Sequence, residues 1–104
     1  MRTILRKGGY STDTAATYVD QSQPIHSLSV ELELQHKWQN NQPTNEVTGY
    51  KAWFSQEGSE PFQVKFATQV RLPQYLAKVE FDQLEACEVR GQVYFRATAL
   101  KEVK

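Results

Sequence analysis

Leu28-Ser29-Val30-Glu31-Leu32-Glu33-Leu34-Gln35-His36-Lys37-Trp38 is the stretch on which the fold turns. Leu28, Val30, Leu32, Leu34, His36 and Trp38 alternate with Ser29, Glu31, Glu33, Gln35 and Lys37. Successive side chains of a strand point to opposite faces, so this period-two run predicts one long strand with a buried face carrying Val30, Leu32 and Leu34. Glu31 and Glu33 then fall on the polar face, where they solvate an exposed surface.

Downstream, Asn40 to Asn45 reads as a loop, and Val47 to Gln56 as a second strand. Glu57-Gly58-Ser59-Glu60-Pro61 is a turn, and Phe62 to Thr68 a third strand that completes a hairpin. Leu72-Pro73-Gln74-Tyr75-Leu76 breaks the pattern and predicts a short connector. Ala77 to Phe81 resumes strand character. Ala86 to Val89, a turn at Arg90-Gly91-Gln92, and Val93 to Ala97 predict a closing hairpin, with Leu100 and Val103 in a last strand segment.

Upstream, residues 1–24 are rich in Ser, Thr, Gln, Gly and Ala and have no hydrophobic period. They predict a flexible N-terminal arm with a basic tip at Arg2, Arg6 and Lys7, ending at Pro24. A rival reading places Thr12 to Val19 in a short helix. Residues 25–104 form the folded domain in either case. The expected fold class is all-β, a small five- to six-stranded barrel of the oligonucleotide/oligosaccharide-binding (OB) type; an SH3-like barrel is the alternative.

The totals fit one small domain. The chain has 104 residues, 39% hydrophobic and 12% aromatic, enough apolar surface for a core. No apolar run approaches the ~18 residues of a membrane span. Ile4 and Leu5 stand alone between Arg2 and Arg6, unlike the apolar core of a signal peptide. A cytoplasmic protein is expected. Cys87 is the single cysteine and, beside Leu84, Ala86 and Val89, reads as a buried structural thiol. His26 and His36 match no zinc spacing. No phosphate loop, nucleophile elbow or Cys/His couple is present, so neither an enzyme, a metal nor a cofactor is expected. The acidic stretch of Glu80, Asp82, Glu85 and Glu88 reads as a solvated edge that discourages sheet aggregation.

One feature of the strands points to binding. Tyr50, Ala52 and Phe54 share a face, as do Phe62, Val64 and Phe66, and Val93, Phe95 and Ala97. A barrel needs one apolar face per strand. Trp53 and Tyr94 are left outward, interleaved with Lys51, Lys65 and Arg96. Exposed rings stack on bases and nearby cations meet phosphates, the composition of a single-strand nucleic-acid surface. The expected contact residues are Lys51, Trp53, Lys65, Arg71, Arg90, Tyr94 and Arg96. A bland reading competes: Trp53 covered by the arm, Tyr94 packed at a strand edge. Twelve cations balance twelve carboxylates, so net charge is zero and a strongly electrostatic binder is disfavoured.

Phe66-Ala67-Thr68-Gln69-Val70-Arg71-Leu72-Pro73, Ala77-Lys78-Val79-Glu80-Phe81 and Val93-Tyr94-Phe95-Arg96-Ala97 together resemble a family of small proteins from Gram-positive conjugative elements. There a short strand leads into a Val-x-Leu segment, a Val-Glu-Leu-like strand follows, and a Tyr/Phe-x-x-Ala strand ends the chain. The resemblance covers residues 62–103. It departs after Phe81, where the family carries Asn-Pro and this chain has Asp82-Gln83. It implies an OB-like fold and a single-stranded-DNA-binding accessory role in rolling-circle replication and transfer of a plasmid or other mobile element, beside a relaxase or helicase. The family has no sharp binding motif, so no contact residue carries over. A protein coating a strand often self-associates, so a homo-oligomer, most simply a dimer, is expected. The alternative function is a β-barrel protein–protein adaptor that binds no nucleic acid.

Overall fold

The computed structural model describes residues 9–103; the basic tip at Arg2, Arg6 and Lys7 lies outside them. The chain is all-β with one short helix. In order it forms α1 (Thr12–Tyr18), β1 (Ile25–Ser27), β2 (Glu33–Gln39), β3 (Gln42–Gln56), β4 (Phe62–Phe66), β5 (Lys78–Asp82), β6 (Glu85–Val89), β7 (Gln92–Ala97) and β8 (Ala99–Glu102).

The strands form one sheet in the order β6-β7-β4-β3-β1-β5-β8, with β2 also pairing with β3. Pairs are antiparallel except β4 with β7, which run parallel. The two ends of the path are connected along the chain. Only Gln83-Leu84 separates β5 from β6, and only Thr98 separates β7 from β8. Asp82 pairs with Ala99 and Glu85 with Arg96, so both halves keep a single hairpin register. Thr98 bridges the break, its N–H and hydroxyl both donating to the Asp82 carbonyl at 3.0 Å.

The core follows the alternation expected for the later strands. Ala52, Phe54, Phe62, Val64, Phe66, Val79, Phe81, Val93, Phe95 and Ala97 are all buried. Phe54 is fully buried, with ring centroids of Phe81, Phe62 and Phe66 at 4.8, 6.2 and 6.5 Å. Edge-to-face contacts such as Phe54–Phe81 add to the energy of burial. Cys87 is buried as a free thiol.

The stretch that read most clearly behaves differently. Residues 28–32 are not strand, and β2 begins at Glu33. Val30 is 81% exposed, Leu34 49% and Trp38 67%; of the expected buried trio, only Leu32 packs against the core, and partly. The alternation is real, but among the described residues β2 pairs only with β3, and beyond Leu34 it runs alongside a part of β3 that β4 does not reach. The far end of the hairpin therefore projects past the core, and Leu34, Trp38 and Val47 stay exposed. The loop expected over 40–45 shrinks to Asn40-Asn41, both at positive φ (54° and 61°), the backbone of a two-residue hairpin turn that asparagine tolerates. That lengthens β3 to fifteen residues.

Residues 9–24, expected to hang loosely, are docked. Ser11 caps α1, its Oγ accepting from the Thr14 N–H at 3.0 Å, and it exchanges backbone hydrogen bonds with Ala86. Ala15 and Val19 are buried in the main core. The buried Gln56 side chain fixes the end of the arm: Oε1 accepts from the Asp20 N–H at 2.9 Å and Nε2 donates to the Asp20 carbonyl at 2.5 Å. A seven-residue helix is too short to show a clear period, and its partners lie far along the chain.

Candidate nucleic-acid interface

The outward faces of β3, β4 and β7 carry two adjacent rows. Lys51 on β3 stands directly opposite Lys65 on β4, and Lys65 is in register with Arg96 on β7. Beside them, Trp53 pairs with Gln63. Tyr94 on β7 precedes Phe95, the partner of Val64. Trp53 is 44% exposed and Tyr94 51%. Both rings face outward because Ala52, Phe54, Val93 and Phe95 take the inward positions. A groove of about 460 Å³ runs between the rows, lined by Lys51, Trp53, Gln63, Lys65 and Tyr94, with Tyr10 and Glu60 at its margins.

Two like charges directly opposite on neighbouring strands destabilise a sheet. Among the described residues neither Lys51 nor Lys65 forms a close ion pair, although Glu33 on β2 is in register with Lys51 on its other side and offsets part of this. Gly49 accommodates the arrangement. A β-carbon there would lie 2.7 Å from Lys65 Cε and 3.3 Å from the Phe66 carbonyl oxygen, so the glycine leaves room for the lysine stem to cross β3. The amide oxygen of Gln35, also on the groove, is buried without a hydrogen-bond partner among the described residues. The surface thus presents two cations, neither in a close ion pair among the described residues, between two half-exposed rings, with the carboxylates of Glu33, held by Gln63 at 3.1 Å, and Glu60 nearby.

The seven residues expected from sequence are not all gathered. Lys51, Trp53, Lys65 and Tyr94 line one groove. Arg96 adjoins it but is engaged: its Nε donates to Glu85 Oε1 at 2.9 Å, and its guanidinium carbon sits 4.0 Å from the centroid of the Tyr10 ring. Arg90 occupies the β6–β7 turn at φ 51°, outside the groove lining. Arg71 lies on the connector between β4 and β5, in a separate cavity with Leu72, Pro73 and Lys101.

Tyr10 and Gly49 were not legible as site residues. Tyr10 sits in a segment without period, and only docking of the arm on β6 brings it to the groove. Its phenol pKa is raised above the usual value of 10.0, first by burial and then by the hydrogen bond to the Cys87 thiol, against a lowering influence of Arg96. Among the described residues no cluster of three or more His, Cys, Asp or Glu could hold a metal ion. None of their helices is long and apolar enough to cross a membrane. Comparison with protein-family models, curated proteins and solved structures gives no match.

Proposed function

We propose that the protein is an OB-like barrel that binds single-stranded DNA on the outward faces of β3, β4 and β7. The observation that carries the binding reading is the Lys51–Lys65 opposition, without a close ion pair among the described residues and flanked by the outward rings of Trp53 and Tyr94. Stacking on the rings is tolerant of sequence, and the lysines would meet phosphates, so little sequence preference is expected. Zero net charge limits how many phosphates are neutralised at once and keeps affinity modest.

Three features support the barrel. If β5/β6 and β7/β8 each count as one bent strand, the sheet path returns on itself as a five-stranded circuit. β1 and β2 both pair with β3 and together stand for a long, interrupted first strand. The parallel contact of β4 with β7 matches the pairing of the third and fifth strands of an OB topology. In the setting that the resemblance implies, the protein would be a cytoplasmic accessory of rolling-circle replication or conjugative transfer, protecting or presenting the strand beside a relaxase or helicase.

The test is binding of a labelled strand of ~30 nucleotides at low salt, with stability measured on the same variants. Trp53→Ala is expected to lower affinity by about 1–3 kcal/mol while leaving the fold intact. Lys65→Ala is expected to weaken binding and flatten the dependence of log affinity on log salt by about one unit. Absence of wild-type binding would remove this function and promote the protein–protein adaptor.

A further inference from the structure

The 460 Å³ groove is not isolated. A second cavity of about 480 Å³ lies beside it, lined by Thr48, Lys65, Ala67, Glu85, Arg96 and Thr98 among others. Two residues, Lys65 and Tyr10, line both. Lys65 is a cation of the groove that forms no close ion pair among the described residues. Tyr10 is half-buried and enters from the arm, next to the point where the arm is bonded to β6. Its neighbour Ser11 is bonded to the β6 backbone in both directions, N–H to the Ala86 carbonyl at 2.9 Å and carbonyl from the Ala86 N–H at 3.0 Å, and caps α1. The ring is steadied by the Arg96 guanidinium, which Glu85 holds in turn.

We infer that Tyr10 is a third base-stacking residue, carrying the single-strand track from the Trp53–Tyr94 groove past Lys65 into the second groove. The inference rests on the single-strand reading above and extends it. A ring already held on a fixed backbone loses little freedom when a base stacks on it, so its surface is preorganised for binding. Arg96 takes a different role from the one its sequence position suggests. Its charge is answered by Glu85 and its plane by Tyr10, so it positions the ring, whereas Lys51 and Lys65 remain for phosphates.

Oligonucleotide length tests this directly. Single-strand sites on such folds span about 4–16 nucleotides, so strands of ~4 and ~16 separate the first groove from the whole track. Tyr10→Ala is expected to bind the long strand about 5- to 100-fold more weakly and the short strand with a clearly smaller loss, with an unchanged salt slope. Tyr10→Phe, which keeps the ring, is expected to retain long-strand affinity. Tyr10→Leu keeps apolar bulk without a flat face; it is expected to share the long-strand loss and serves in place of Tyr10→Ala if that variant melts early. Wild-type-like affinity of a folded Tyr10→Leu for both strands would overturn the role of Tyr10 while leaving single-strand binding standing. Failure of the wild type to bind either length would overturn the single-strand reading itself, and this inference with it.

Discussion

Val19→Ala tests whether the N-terminal segment belongs to the core. Val19 is 1% exposed and sits just past α1, its N–H donating to the Ala15 carbonyl at 2.9 Å. The substitution removes two methyl groups from a closed site. At ~0.8 kcal/mol for each buried carbon, the transfer loss is about 1.6 kcal/mol. The space left behind adds to this, because surrounding side chains relax only in part, bringing the expected loss to ~2–3 kcal/mol. That is a large share of the stability of a small domain, typically about 5–15 kcal/mol. Equilibrium urea unfolding of the two proteins, followed by Trp fluorescence, is the assay. The midpoint should fall with little change in the slope, since the surface exposed on unfolding is nearly the same. A loss under ~0.5 kcal/mol, the scale of an ordinary surface substitution, would refute docking of the arm on β6.

Other consequences can be measured on the same material. Gln56→Leu removes both side-chain hydrogen bonds to Asp20 and should cost about 2 kcal/mol in urea unfolding, at ~1 kcal/mol per bond; a neutral result would mean that water serves Asp20 equally well. Tyr10 has a folded-state pKa raised above that of the unfolded chain, so its contribution to stability is fully present below pH 10 and is lost as pH rises beyond it. The difference in phenolate absorbance between wild type and Tyr10→Phe should show this tyrosine ionising late; ionisation at the ordinary value would contradict its burial. Self-association is expected through the projecting β2–β3 hairpin, whose edge strand β2 has no second partner among the described residues and whose Leu34 and Trp38 are exposed. Light scattering at high micromolar concentration should report a dimer that Trp38→Glu disperses, and a monomeric wild type would exclude it.

What the sequence by itself determined is the alternation of β3, β4, β5 and β7. In Phe62-Gln63-Val64-Lys65-Phe66 and Val93-Tyr94-Phe95-Arg96-Ala97 the period of two assigns each residue to a face, and burial follows it. That same rule set Lys51, Trp53, Lys65 and Tyr94 outward before their partners were known. Alternation says which residues share a face, but it does not say whether another layer covers that face. Leu34 and Trp38 belong to the most regular run in the chain and are exposed because, among the described residues, no layer covers their face of β2, while Ala15 and Val19 show no period and are buried because α1 packs on β6. Which cations meet was likewise decided by strand register across distant parts of the chain: the pairing of β3 with β4 sets Lys51 against Lys65, and docking of the arm lays Tyr10 on Arg96. Arg71 and Arg90, equally basic, lie outside the groove because a connector and a turn place them elsewhere. Facing is a local property of the strand backbone; coverage and convergence depend on which distant segments come together, and only the tertiary structure supplies those.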